Sequence, residues 1–407
     1  MRRVVITGIG AVTPLANTFA GSWKLIKKGV SGISSITKFD ASRLPWKVAG
    51  ELKGFDPSVF LSKKEILRLD PFVQYAVAAS AMAVEDAGIL NFKFQILNLK
   101  SDNAGVIIGS SRGGITTIER EFSKLLTPNS KLSSYLMPST TISMAASYAA
   151  QKLGVTGHCL GISNACASGT NAVGEAYRLI KHGYADIMIA GGTEAPICRL
   201  CIEGYGVSGA LSKKTDSSAS RPFDSARDGF VLAEGACMLI LEEYESAMKR
   251  GANIYAELTG YGNTTDAYHI TKPDIEGEQK AIINVLEDAG ISAGDADYIN
   301  AHGTSTPIGD RVEAKAIQSI FGKNIPVSSI KSMTGHMLAA SGAFETACAA
   351  MSIKEGIIPP TINITEKDHE CDINVITEKR EPDIKIAITN SFGFGGVNAV
   401  IVLKSNS

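Results

Sequence analysis

The sequence predicts an α/β protein whose strands are covered by helices on both faces. Short β-branched runs alternate with longer amphipathic stretches, and the strands end in glycine-bearing loops that hold nearly all the unusual polar residues. A Thr-Gly-x-Gly segment also opens each half of the chain. Taken in order, residues 4–7, 104–108, 187–190, 298–300, 326–330 and 384–389 read as buried strands, and residues 71–87, 169–181, 310–321 and 342–354 read as helices. In open sheets ligands gather beyond the carboxyl ends of strands, so the chemistry is sought in those loops.

The chain has 407 residues, enough for two or three core-forming units. The repeated segments are Thr7-Gly8-Ile9-Gly10 and Thr259-Gly260-Tyr261-Gly262, and the charged stretch 242–250 reads as a solvated crossing. The expected halves are residues 1–250 and 251–407, packed as one body because no low-complexity linker separates them. With 44% hydrophobic and 20% charged residues, neither disorder nor a fibrous architecture is indicated. A net charge of −1, with acids and bases spread along the chain, removes the electrostatic case for binding nucleic acid or an anionic membrane. The pairs Lys27-Lys28, Lys63-Lys64 and Lys213-Lys214 read as solvated surface.

The seven cysteines, at 159, 166, 198, 201, 237, 348 and 371, are odd in number and irregularly spaced, which argues for reduced thiols in a cytosol-like, cytoplasmic compartment. Cys198-x-x-Cys201 has no second pair at ligand spacing, so no metal is expected there. Gly8-x-Gly10-x-x-Thr13 lacks the third glycine and the later acid of a dinucleotide fingerprint. Met1-Arg2-Arg3 and the apolar run behind it have the outline of a signal peptide, but Gly8, Gly10 and Pro14 interrupt the run and no cleavage pattern follows. No segment has the ~20 uninterrupted apolar residues of a membrane span.

Four segments carry chemistry. In Ser163-Asn164-Ala165-Cys166-Ala167-Ser168-Gly169-Thr170, Cys166 stands at the start of a helix, where unpaired N–H groups and the dipole favour thiolate and the Cys166 N–H can serve an oxyanion. Asn300-Ala301-His302-Gly303-Thr304-Ser305-Thr306 and Lys331-Ser332-Met333-Thr334-Gly335-His336 each place a histidine in a strand-to-helix loop. Cys166, His302 and His336 together outline a Cys-His-His site. Asn390-Ser391-Phe392-Gly393-Phe394-Gly395-Gly396 reads as a mobile loop whose Phe392 and Phe394 plug the mouth of an apolar pocket.

These four segments and Arg221–Ala236 resemble, in order and spacing, the β-ketoacyl-acyl carrier protein synthases of the elongating, type II kind, and the similarity runs essentially end to end. Asn164, Ala233 and Val397 depart from the commoner family residues without removing a functional group. The resemblance implies a thiolase fold, with two similar mixed α/β halves in five layers, assembled as a homodimer. It implies that Cys166 accepts the acyl group from acyl carrier protein, with the N–H groups of Cys166 and Phe394 as oxyanion hole, and that His302 and His336 stabilise the enolate formed as malonyl-acyl carrier protein loses carbon dioxide. Lys331 would pair with Glu345 and hold the His336 loop, Thr304 and Thr306 would bind the phosphopantetheine arm, and Ile108, Phe392 and Glu345 would stand on the substrate side. Asp266 and His269 resemble a segment near the entrance. No resident cofactor is implied, since phosphopantetheine arrives on the carrier protein.

Ketoacyl synthase III and thiolases replace the His-His pair with His-Asn or His-Cys, chain-length factors lack the cysteine, and Ile108 resembles the pocket isoleucine of type II enzymes. The alternatives are a type I elongating synthase or polyketide ketosynthase and, in another class, an inactive scaffold subunit of a ketosynthase heterodimer.

Overall fold

The computed structural model of the chain describes residues 1–89 and 103–406. Apart from the two-residue strands Ser34–Ser35, Val48–Ala49 and Asn374–Val375, five strands belong to the first half: Val4–Val12 (β1), Ala104–Gly109 (β2), Cys159–Ile162 (β3), Ile187–Glu194 (β4) and Gly235–Glu243 (β5). Five belong to the second: Ala256–Thr265 (β6), Tyr298–Asn300 (β7), Pro326–Ser328 (β8), Ile386–Gly393 (β9) and Val397–Lys404 (β10). Their orders are β3-β2-β4-β5-β1 and β8-β7-β9-β10-β6. In each set the first strand pairs antiparallel with the last, the last antiparallel with the fourth, and the remaining neighbours are parallel. The two sets meet where Val4, Val5 and Ile6 pair antiparallel with Leu258, Glu257 and Ala256.

Three helices in each half complete the layers. These are Pro71–Asp86 (α1), Met144–Leu153 (α2) and Ser168–Lys181 (α3), then Ile275–Ala289 (α4), Pro307–Phe321 (α5) and Ala339–Glu355 (α6). α1 starts sharply because Asp70 accepts from the Phe72 N–H and Pro71 occupies the first helical turn. α3 and α6 lie between the sheets, where Val173, Ala176 and Ile180 share one apolar cluster with Ala340, Ala343 and Ala347 and with the inner strand residues Ile107, Leu239 and Ile401. Val73 and Ala76 of α1 and Ala145 and Ala149 of α2 cover the outer face of the first sheet, and Ala281 and Val285 of α4 and Ala314 and Ile317 of α5 cover that of the second. The result is the five-layer α-β-α-β-α arrangement of the thiolase fold. Each fully buried Val or Ile side chain contributes about 1.5–3 kcal/mol to holding it.

The Thr-Gly-x-Gly segments occupy equivalent places, on β1 and β6, and their glycines do the same work in both. A Cβ on Gly8 or Gly10 would lie 2.3 or 2.1 Å from the carbonyl oxygens of Ala83 and Ala79 on α1. A Cβ on Gly260 or Gly262 would lie 2.7 or 2.2 Å from those of Val285 and Ala281 on α4. The missing side chains let each outer helix approach its strand at backbone distance. These glycines therefore continue the strand, and β1 runs to Val12 rather than stopping at Thr7.

Two other expectations are corrected. The stretch 242–250 is not simply solvated, because Glu242 is buried and held by Arg250 and Thr7. Residues 390–396 are not a mobile loop: β9 runs through Gly393, and only Phe394, Gly395 and Gly396 form the tight turn into β10.

Candidate active site

Cys166 sits in the connection from β3 to α3. Ser168 Oγ accepts from the Asn164 N–H at 2.8 Å and donates to the Ala165 carbonyl at 2.6 Å, and the Ala167 N–H reaches the Asn164 carbonyl at 3.1 Å. This knot holds Ala165 at φ +47°, a strained conformation for a side-chain-bearing residue, and presents Cys166 at the amino end of α3. The Phe394 N–H lies on the side of the Cys166 sulfur and favours its thiolate. A Cβ on Gly393 would lie 3.3 Å from the Cys166 nitrogen, so the end of β9 runs directly against the Cys166 backbone.

The helix end does not by itself yield a thiolate. Cys166 as a residue is partly exposed, but its thiol packs against an apolar cluster containing Ile202, Phe230 and Leu338, with Tyr205 and Phe394 alongside. Burial pushes the thiol up to about 11, while the Lys331 charge and the Phe394 N–H pull the other way. Desolvation outweighs them.

His302 follows β7. Its N–H and that of Gly303 both donate to the Glu313 carboxylate at 2.7 Å, and Asn390 Nδ2 joins them at 3.1 Å, so α5 clamps the loop through one acid. His336 follows the short helix Lys331–Thr334; its N–H donates to the Val231 carbonyl at 2.8 Å, and its own carbonyl accepts from the Ala233 N–H at 2.9 Å. Ser341 Oγ accepts from the Met337 N–H at 2.9 Å and stands 3.2 Å from His336 Nδ1. When the Ser341 hydroxyl donates to Nδ1, the proton of the neutral His336 ring sits on Nε2, which has no partner in the protein. The two imidazoles stand edge to face with centroids 5.4 Å apart, His302 against Phe392 and His336 against Phe230. Burial holds both well below the usual histidine range, and Lys331 acts in the same direction, so both rings are neutral near pH 7.

Lys331 and Glu345 form a fully buried ion pair between the His336 loop and α6. Lys331 is therefore no free base, and Glu345, expected on the substrate side, faces away from the cavity; burial pushes its carboxyl up to about 6.

A cavity of about 300 Å³ reaches His302 from the surface and is lined by Thr304, Thr306, Phe392, Phe394, Asp266, Lys272 and Glu278, among others. The Thr304 and Thr306 hydroxyls are 3.0 Å apart on one wall. Asp266 is tied to Asn398 and to the Asp274 N–H, while His269 is exposed and accepts from Thr271 and Lys272 backbone N–H groups. Ile108 does not line this cavity. Strand alternation sends Ile107 to the central cluster and Ile108 outward, where it is fully buried with Val106, Ala145 and Ile189. Cys198 and Cys201 are buried thiols in hydrogen-bond contact, and no group of acids, histidines and cysteines suited to a metal exists among the described residues.

Sequence reasoning missed Glu313, Ser341 and Phe230, which orient the histidines. Each lies in a segment already singled out or just beyond it, but only the folded loops reveal that a helix acid clamps a backbone or that a hydroxyl pairs with a ring nitrogen.

The β-ketoacyl synthase N-terminal domain matches residues 1–247, and the C-terminal domain of the same family matches residues 255–365. The chain belongs to the β-ketoacyl synthase family.

This β-ketoacyl synthase is an acyltransferase of the carbon–carbon bond-forming kind. It is 46% identical to 3-oxoacyl-[acyl-carrier-protein] synthase 2 of Staphylococcus aureus strain N315, with 99% of this chain and 98% of that one covered. It is 45% identical to the protein of the same name from Coxiella burnetii, with the same coverage. Among solved structures it resembles a β-ketoacyl synthase from Burkholderia phymatum at a TM-score of 0.93 and 34% identity, and a ketosynthase in complex with its type II polyketide acyl carrier protein at 0.90 and 36%. Each of those pairings covers 100% of both chains. Among the described residues no helix is long and apolar enough to cross a membrane.

Proposed function

We propose that this β-ketoacyl synthase is an elongating 3-oxoacyl-[acyl-carrier-protein] synthase of type II fatty-acid synthesis, in which residues 1–250 supply the nucleophile and residues 251–407 both histidines. The observation that carries the reading is the chain of contacts that gathers the three groups: Cys166 packs against the apolar cluster of Phe230, His336 packs edge to face on Phe230, and His302 packs edge to face on His336. Phosphopantetheine enters on the carrier protein along the wall of Thr304 and Thr306, so no resident cofactor takes part.

In acyl transfer the Cys166 sulfur attacks the thioester carbonyl, and the N–H groups of Cys166 and Phe394 hold the oxyanion until the carrier thiol leaves. Because the free thiol is held protonated, its proton leaves as the carbon–sulfur bond forms; a neutral imidazole accepts it and hands it to the departing carrier sulfur, which leaves as a thiol and restores the neutral ring. The malonyl thioester then enters. Its carboxylate departs as carbon dioxide, the electron pair moves into the enolate, and His336 Nε2–H with His302 stabilises the enolate oxygen. Neutral rings suit this work, since they donate without handing the enolate a proton too early. The enolate carbon attacks the acyl-cysteine, the Cys166 sulfur leaves, and the chain departs two carbons longer. Ile108 belongs to this proposal as the floor of an acyl channel separate from the entrance cavity, among the outer-face residues Ala145, Ala146 and Ile189.

The active form is a cytoplasmic homodimer. β3 lies at the edge of the sheet with Leu160 exposed, and Ile118, Phe122, Leu125 and Met137 are exposed as well. A second copy pairing along that edge would cover apolar area that otherwise faces water. The identity to synthase 2 proteins exceeds that to the polyketide ketosynthase, which supports the fatty-acid reading, and the intact Cys166 argues against a scaffold subunit.

Incubation with acyl-acyl carrier protein should add one acyl mass to Cys166, detected by peptide mass spectrometry. An acyl group on another cysteine, or none at all, would overturn the reading.

A further inference from the structure

The entrance cavity holds a carboxyl group with no assigned work. Its wall contains Asp266, Glu278, Asp310 and Glu313. Three of the four are engaged. Asp266 accepts from Asn398 Nδ2 and the Asp274 N–H; Asp310 accepts from the Phe223 and Ser305 N–H groups and faces Arg227 at 3.4 Å; Glu313 accepts from His302, Gly303 and Asn390. Glu278, in the first turn of α4, is 1% exposed, and its Oε2 has no hydrogen-bond partner. A buried polar atom without a partner is costly, and here it belongs to a carboxyl whose residue lines the substrate cavity.

We propose that Glu278 is a substrate-binding residue of this cavity, whose carboxyl donates a hydrogen bond to an amide carbonyl of the pantetheine-type arm that carries the thioester. The proposal rests on the reading that this arm enters here. The carboxyl is a donor only while it keeps its proton, and the surroundings see to that. Burial raises Glu278 well above the usual carboxylate range, and Glu313 on α5, Asp266 at the end of β6 and Asp274 at the start of α4 add to the effect. Of the cations near, Arg227 is committed to Asp310 and Asp368, and Lys272 is exposed at the cavity rim. A neutral acid beside the two threonine hydroxyls suits the secondary amides of such an arm. At alkaline pH the same group becomes a carboxylate, which loses the donor and repels the malonyl carboxylate travelling past it.

The experiment measures the KM of the whole enzyme for malonyl-pantetheine across mildly acid to mildly alkaline pH in wild type, Glu278→Ala and Glu278→Gln. A control substrate is a malonyl thioester of butanethiol, which has no amide. Glu278→Ala should raise KM for malonyl-pantetheine about tenfold, the worth of one lost hydrogen bond, and leave the butanethiol thioester unaffected. Glu278→Gln, which keeps an N–H donor but cannot ionise, should stay near the wild-type KM at neutral pH and remain flat as pH rises, whereas the wild-type KM climbs. If Glu278→Ala folds poorly by thermal melting, the wild-type and Glu278→Gln pH profiles decide. Equal KM values in all three, parallel pH profiles, or an equal penalty on both substrates would overturn the proposal. Absence of acyl transfer to Cys166 in the wild type would instead overturn the functional reading beneath it.

Discussion

The imidazoles of His302 and His336 meet edge to face at 84°, with centroids 5.4 Å apart, although each is held by a different part of the chain: His302 by the Glu313 clamp, His336 by Ser341. Two donors that close, each fixed by its own backbone loop, can serve one oxygen without first reorganising.

Replacing either ring should therefore strike decarboxylation harder than acyl transfer. His302→Ala and His336→Ala are each expected to lose about 10²–10³ in malonyl decarboxylation, the usual worth of one preorganised oxyanion donor, while still forming some acyl-Cys166. Carbon dioxide release and peptide mass spectrometry separate the two steps. Condensation at near wild-type rates in both variants would refute the two-donor arrangement.

The Cys166 thiol, pushed up to about 11, is protonated through the neutral range. Alkylation of Cys166 by iodoacetamide should therefore accelerate steadily as pH rises through the neutral and mildly alkaline range, because only the thiolate reacts. A rate already level at neutral pH would show that the helix end and Lys331 prevail over desolvation after all.

Lys331 and Glu345 are expected to matter as a pair. Lys331→Met leaves a buried carboxyl without its cation and should cost about 3–5 kcal/mol in unfolding free energy; adding Glu345→Gln should recover much of that. Lys331 also presses both histidines downward, so NMR titration of the double variant should show both imidazoles moving up. Additive losses with unmoved histidines would rule out this coupling.

Ile108→Phe should discriminate by chain length. Each methylene excluded from the channel forfeits about 0.8 kcal/mol of burial, and overpacking adds about 1–3 kcal/mol, so long acyl donors should fail to load Cys166 while short ones survive and malonyl decarboxylation is nearly unchanged. Uniform loss at all lengths would mean that the bulk disturbs only the outer core around Ala145 and Ile189.

Much of this was legible in the residues. The strands and helices were readable because buried β-branched runs and capped amphipathic stretches carry their periodicity locally, and Cys166, His302 and His336 stood out because loops at strand ends rarely combine those side chains with glycine and hydroxyl neighbours. Glycines misled where they serve close approach: Gly8 and Gly10 looked like the end of a strand and are its middle, and the Gly393 region looked loose and is paired. The burial of the thiol was not legible because a helix end is visible in sequence, whereas the apolar cluster that desolvates the sulfur comes from Ile202, Phe230 and Leu338, far apart along the chain. Glu278 escaped notice for the same reason, since its isolation is a property of the other three acids.

Cys166 precedes α3 and His336 precedes α6, and these two central helices hold corresponding places in the two halves. They touch at their amino ends, where a Cβ on Gly169 would lie 2.1 Å from the Ala339 carbonyl oxygen. An ancestor made of two identical copies of one half would have set the same loop against itself across a twofold axis, with the same residue on both sides. Joining the copies in one polypeptide frees each loop to diverge. One then specialises as nucleophile and the other as hydrogen-bond donor, and an asymmetric reaction comes to be carried out at the centre of a nearly symmetric molecule.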